Sequence, residues 1–206
     1  MIPSVAQCFR LMEEYRMLAN IRDHSIIVAR IATLLGRELE RRGCALSLPL
    51  VVASALLHDI GKTACLDSDR DHAAYGREIC LAHGLDELAE IVGDHVRFRD
   101  NSLGAFGEYD IVFYADKRVT HAQVVNLEER QGYILERYGR NDPERLAIIR
   151  EHCRSWRLVE ERLFAGLAFA PAGLAERIDR DPATCDFTGD PDPARLAEPD
   201  RIAMGY

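Results

Sequence analysis

Residues 48–62 read LPLVVASALLHDIGK, and the fold turns on how this stretch is interpreted. From Leu48 to Leu57 there is no charged residue. Ser47 and Pro49 give it a helix start, and apolar side chains lie on every side, which marks a central, buried helix. It runs straight into adjacent His58 and Asp59, two ionisable side chains that are costly to bury without partners. An ordinary helix end would account for Gly61 as a left-handed cap residue and for Lys62 at the carbonyl end of the dipole. It would not account for two titratable neighbours at the end of the most apolar helix. A metal-binding or catalytic role does.

Outward from this segment, period-2 alternation is nearly absent while stripes of period 3.6 recur from end to end, so the expected fold is all-α. A first helix is expected over Pro3 to Leu18, with Val5, Phe9, Met12 and Leu18 inward. A second follows Asn20 or Asp23 as cap and ends near Arg42-Gly43. Further helices are expected over 72–83, 86–97 and 108–118. Asn126 and Glu129 have capping-box spacing and open a helix that runs to Tyr138-Gly139. Asp142-Pro143 opens the last long helix, striped by Leu146, Ile149, Cys153, Trp156, Val159 and Leu163.

After about Gly166 the texture changes. Five of the eight prolines fall in the last 41 residues, together with eight acidic side chains and four arginines. The chain therefore divides into a helical domain over 1–165 and an acidic, Pro-rich C-terminal extension over 166–206. The extension is expected to be partly ordered, with one short helix near 172–178.

Composition narrows the function classes. Apolar residues at 48% and aromatics at 7% are those of a globular chain. A net charge of −8 argues against nonspecific nucleic-acid binding, though not against a locally basic phosphate pocket. The longest apolar stretch, Leu48 to Leu57, is about half of the ~20 residues a membrane helix needs, so no membrane partner is expected. Arg10, Glu13, Glu14 and Arg16 interrupt the N-terminal region where a secretory signal would be apolar, which places the chain in the cytoplasm. The six cysteines form no C-x-x-C pair and are read as free thiols in a reducing compartment. Oligomeric state is not legible.

The AlaLeuLeuHisAspIleGlyLys run at 55–62 resembles the signature of the HD superfamily of metal-dependent phosphohydrolases, in the His-Asp-Ile-Gly form that gives some subgroups their name. The resemblance extends over roughly residues 20–140. It implies an HD-type helical bundle and a metal held by an upstream His, the His-Asp pair and a downstream Asp: here His24, His58, Asp59 and Asp116. Members with a two-metal centre add two intervening histidines, and His72 and His95 stand in the matching places. The family often doubles the His at the second of these; here Val96 follows His95, which leaves one position of the second metal open or water-filled.

Each of these residues shares a helical stripe with apolar neighbours: His24 with Val28, Ile31 and Leu35; His72 with Gly76 and Ile79; His95 with Leu88, Ile91 and Val92; Asp116 with Val112 and Val119. Helix bundles build metal sites in this way, from facing helices. Imidazole and carboxylate without thiolate suit manganese, iron, cobalt, nickel or zinc. Asp59 is the expected bridge between two ions. Lys62 is the first candidate for a phosphate contact and catalytic aid, with Arg97 and Arg118 next. His83, His121 and His152 are read as structural.

The resemblance implies hydrolysis of a phosphomonoester or phosphodiester, with a small nucleotide-type substrate, by a metal-activated water. No Gly-Tyr-Pro element follows the metal motifs, because Ile134 stands after Gly132-Tyr133. That favours a small stand-alone hydrolase over a cyclic-dinucleotide phosphodiesterase. Two alternatives stay open: an HD-type di-iron oxygenase, and a metal-binding regulatory module without turnover. Substrate choice is expected to lie with the Asp67-to-Asp71 loop and residues 97–107.

Overall fold

The structure is a computed structural model that describes residues 1–99, 106–181 and 187. Helix α1 spans Val5–Glu14, α2 Ala19–Arg41, α3 Leu48–Leu57, α4 Lys62–Cys65, α5 His72–Ala82, α6 Asp86–Asp94 and α7 Glu108–Lys117. A two-residue ribbon, β1 Val119–Thr120 against β2 Gln123–Val124, leads to α8 (Leu127–Tyr138) and α9 (Pro143–Phe164). A 3₁₀ turn at Pro171–Gly173 and α10 (Leu174–Arg177) complete the described elements. The all-α expectation holds.

Most helix ends obey the caps written in the sequence. Ser47 caps α3 through its side chain, Asp142 caps α9, and Asn126 with Glu129 forms a complete capping box on α8. Gly43, with φ +87°, takes the left-handed position after α2. Helix α1 is shorter than expected. Ser4 and Gln7 box its start, and Arg16 at φ 49° turns the chain before Leu18, which ends up exposed rather than inward. Helix α2 begins at Ala19, ahead of both expected caps, because the Leu18 N–H is held instead by Thr63 Oγ1 at 3.0 Å.

Helix α3 is the axis of the bundle, packed mainly against α2 and α7, with Val51, Ala55, Leu56 and Leu57 fully buried. By composition the Leu48–Cys65 stretch could pass for a membrane span, yet 67% of it is buried inside the bundle, as a central core helix would be. Packing does not stop at the change of composition near Gly166: Leu174 is fully buried, and the Pro171 carbonyl accepts from Arg118 at 3.1 Å. The short helix expected near 172–178 is present. The rest of the expected extension, beyond 181 and apart from 187, lies outside the described residues.

Candidate metal centre

Five separate segments deliver six side chains to one place. His24 comes from the second turn of α2, His58 and Asp59 follow α3, His72 opens α5, His95 closes α6, and Asp116 lies one residue before the end of α7. His58, Asp59 and His95 are at most 1% exposed, and His24 and Asp116 are 6% exposed. His72 is half-buried.

Three of the imidazoles are oriented by their own backbone surroundings. Nδ1 of His58 donates to the Ala55 carbonyl at 2.7 Å, Nδ1 of His95 to the Val92 carbonyl at 2.7 Å, and Nδ1 of His24 to the His121 carbonyl at 2.9 Å. Each bond places the N–H on Nδ1 and leaves the Nε2 lone pair directed inward, the arrangement that orients ligating histidines. His24 Nε2 stands 3.0 Å from Asp116 Oδ1, and His58 Nε2 is 3.5 Å from Asp59 Oδ2 and 3.7 Å from Asp116 Oδ1. His72 and His95 turn Nε2 to Asp59 Oδ1, at 3.4 and 3.6 Å. The ligand atoms of His24, His58 and Asp59 form one close group and those of Asp59, His72 and His95 another, each within 4.8 Å. Asp59 belongs to both.

The donor set fits a divalent cation. His58 Nε2 is buried with no hydrogen-bond partner, and lone pairs of several imidazoles face two carboxylates, which is repulsive unless positive charge lies among them. Burial pushes the His95 imidazole down to about 4 and also lowers His24, so both favour the neutral form that binds metal. At His58 burial is outweighed by the Asp59 and Asp116 carboxylates and the net move is upward; in the absence of a cation a proton is drawn to the same spot. Burial alone would raise Asp59 and Asp116. The Lys62 ammonium overcomes it at Asp59 and the Lys117 ammonium at Asp116, so both carboxyls are held well below the usual range.

Cations ring the cluster. Lys62 Nζ lies 2.6 Å from Asp59 Oδ2; Lys117 Nζ donates to Asp116 Oδ2 at 2.6 Å and to the His95 carbonyl at 3.1 Å. A cavity of about 450 Å³ opens beside them, lined by Asp59, His72, His95 and Asp116 on one wall and by α8 and α9 on the other. A smaller one of about 140 Å³ reaches His24 and Asp59 between α2 and α8, with His121 also in its lining.

Two expected substrate contacts lie elsewhere. Arg97 is an exposed residue paired with Asp71 at 3.0 Å and Asp94 at 3.4 Å, outside the cavity lining. Arg118 is 3% exposed and turned into the bundle, where it donates to the Val125 and Pro171 carbonyls, pairs with Glu160 at 3.2 Å and meets the Tyr114 hydroxyl. One turn of helix separates Tyr114 from Arg118, and Asp116 between them points the other way, so proximity in sequence misled. Of the expected pocket walls, Arg70 does line the cavity, and residues 100–105 lie outside the described residues. The opposite wall is α8 and α9, which carry Arg130, Arg137, His152 and Trp156. Arg130, Ile134, Arg137 and Tyr138 follow i, i+4, i+7, i+8 spacing, a signal readable in sequence only once one knows which face of α8 looks inward. His83, read as structural, is the C-cap of α5 and lies 3.0 Å from the Tyr15 hydroxyl. His121 matters through its carbonyl, not its ring.

Gly61 departs from the sequence reading. Its φ is −78°, so it is no left-handed cap; a Cβ there would lie 2.4 Å from the His72 carbonyl oxygen and 2.8 Å from the Gly76 nitrogen. The glycine allows α5 to press against the elbow after Asp59 and so brings His72 to the cluster.

A helical bundle that gathers histidines and aspartates around a candidate cation position is the architecture of the metal-dependent HD phosphohydrolase superfamily. The chain belongs to the HD domain family: the family model matches residues 21–127, a span that contains all six candidate ligands. Among curated proteins it is similar to ribonuclease Y of Treponema pallidum (strain Nichols) and to ribonuclease Y of Treponema denticola, each 36% identical over 77 residues. That stretch covers 37% of this chain and 14% of the length of each relative. No solved structure matches.

Proposed function

We propose that this chain is a metal-dependent phosphohydrolase that cleaves a phosphomonoester or phosphodiester of a small nucleotide-type substrate. The supporting observation is a single cavity whose lining combines ligand-type residues Asp59, His72, His95 and Asp116 with the cations Lys62, Lys117, Arg130 and Arg137. In this reading one ion is held by His24, His58, Asp59 and Asp116 and a second by Asp59, His72 and His95. When bound, such ions supply Lewis acidity to the phosphoryl oxygens and lower the pKa of an attacking water.

The chain's own residues do the remaining work. Backbone carbonyls of Ala55, Val92 and His121 fix three imidazole orientations, which saves reorganisation when substrate arrives. Lys117, fully inside the bundle, keeps Asp116 ionised. Lys62 is 36% exposed at its side chain, the more accessible of the two ammonium groups, and can exchange part of its contact with Asp59 for a phosphate oxygen.

A second reading, cleavage of a phosphodiester in RNA, is favoured by the likeness to the two ribonucleases Y. The net charge of −8 and a cavity of about 450 Å³ favour a small substrate instead. The test is a screen of nucleotide mono-, di- and triphosphates, cyclic nucleotides and a short RNA against protein loaded separately with manganese, iron, cobalt, nickel and zinc. Release of phosphate or nucleotide that is lost in His58→Ala and Asp59→Ala supports the proposal. Oxygen uptake by the iron form alone would replace it with oxygenase chemistry, and tight metal binding without turnover would replace it with a regulatory role.

A further inference from the structure

The cavity beside the candidate metal centre carries more positive charge than the centre itself uses. Its lining holds five cations, Lys62, Arg70, Lys117, Arg130 and Arg137, against two carboxylates, Asp59 and Asp116, in a chain whose net charge is −8. Three of the five are matched. Lys62 pairs with Asp59, Lys117 with Asp116, and Arg70 with Glu78 on the outer rim, all within 2.6 Å. Arg130 comes no nearer than 3.6 Å to its closest carboxylate, Asp116 Oδ1, and Arg137 is bonded to the Tyr138 and Tyr133 hydroxyls but has no carboxylate partner among the described residues. Both line the cavity from α8, two helical turns apart, about 10 Å along its axis, Arg130 half-buried and Arg137 exposed.

A second observation falls on the same wall. Nε of Arg130, Nε2 of His152 and Nε1 of Trp156 are buried polar atoms with no hydrogen-bond partner, and all three residues line this cavity. Arginine Nε and indole Nε1 can only donate, and the neutral imidazole offers an N–H in one of its tautomers. Unmatched donors in a native fold call for an acceptor.

We propose that the α8–α9 wall is a second anion subsite, so that the substrate is a polyphosphate ester whose reacting phosphate sits at the His/Asp cluster and whose next phosphates run along Arg130 and Arg137. The place of the reacting phosphate rests on the hydrolase reading above; the subsite itself does not. Arg130 adjoins both positions, 3.6 Å from Asp116 through a terminal nitrogen and on the same cavity lining as His152 and Trp156 of α9, which suits directly linked phosphates better than phosphates at opposite ends of a nucleoside.

The experiment is calorimetric titration of the full metal-free chain with inorganic phosphate and with inorganic tripolyphosphate. Wild type is compared with Arg130→Gln and with Arg137→Gln; Arg137 is exposed, so its replacement leaves the core intact even if the Arg130 variant does not fold. Wild type is expected to prefer tripolyphosphate by tenfold or more. Arg137→Gln is expected to weaken tripolyphosphate about tenfold more than it weakens phosphate, the scale of one charge-assisted hydrogen bond. Equal losses for the two probes, or no preference in wild type, would overturn the subsite and leave water as the occupant of the wall. Tripolyphosphate preference in a chain that hydrolyses no phosphoester would overturn the hydrolase reading and leave the subsite standing. Hydrolysis of simple monoesters without any polyphosphate preference would do the reverse.

Discussion

Replacing Gly61 by alanine perturbs the site without touching a ligand. The added Cβ would stand 2.4 Å from the His72 carbonyl oxygen and 2.8 Å from the Gly76 nitrogen, and both are backbone atoms that cannot swing aside. Restoring an ordinary contact near 3.5 Å moves the start of α5 by about 1 Å. A metal site tolerates departures of about 0.2 Å in its ligand distances, so His72 is carried out of reach while His24, His58 and Asp116, on other helices, stay in place. Overpacking of this kind costs about 1–3 kcal/mol, which for a chain of this size lowers the melting temperature by roughly 2–12 °C. Scanning calorimetry and manganese titration follow the two effects. The metal-free variant is expected to melt lower, and the weaker of two manganese-binding steps is expected to lose at least tenfold in affinity while the other is kept. Gly43→Ala is the control: φ is +87° with nothing within 4 Å, so it strains the turn after α2 without reaching the centre. If Gly61→Ala melted within a degree of wild type and bound manganese with unchanged affinity, the role given to this glycine would be wrong.

Three further outcomes follow from the same geometry. Chelation should lower the melting temperature by several degrees or more, because ligands from five segments make metal binding part of the folding energy; an unchanged melt with metal removal verified would contradict a shared buried site. Arg118→Ala should cost about 2 kcal/mol in denaturant melts, since it leaves the Val125 carbonyl without its side-chain donor and removes the cation from Glu160, which keeps the Tyr114 hydroxyl, while manganese affinity of the folded fraction stays at the wild-type value. Asp71 caps α5 through the Ala73 and Ala74 amides; burial pushes its carboxyl up, but those N–H groups and Arg97 outweigh it and hold the carboxyl below its ordinary 3.8. Its contribution is therefore complete above about pH 4 and lost as pH falls through the depressed value, so Asp71→Ala should cost about 1 kcal/mol at pH 7 and progressively less in acid. A gap between the two proteins that stayed constant down to pH 2 would refute the cap.

What the sequence made legible was local. Ser47, Asn126 with Glu129, Asp142 and Gly43 mark helix ends through bonds to their own neighbours, and the structure has helix ends at each of them. The set His24, His58, Asp59, His72, His95 and Asp116 was legible from the resemblance to the HD superfamily, and the apolar stripes of His24, His72, His95 and Asp116 placed those four on inward helix faces. Long-range choices were not. Leu18 looked like the last inward residue of α1, but Thr63 draws its amide into the start of α2. Arg118 looked like a phosphate contact because it follows Asp116, yet two helical positions turn it about 200° away, toward Glu160 and Tyr114. Gly61 looked like a conformational glycine when what it supplies is room for α5. The α8–α9 wall, with Arg130 and Arg137, lies beyond residues 21–127 matched by the family model, and only the packing of α8 onto the bundle reveals it.

Anomalous diffraction from crystals grown with manganese would locate the ions directly. One peak is expected among Nε2 of His24 and His58 and the carboxylates of Asp59 and Asp116, and a second among Asp59, His72 and His95, with Asp59 contacting both. Manganese bound at the surface, or a density map with no peak within ligand distance of Asp59, would contradict the assignment.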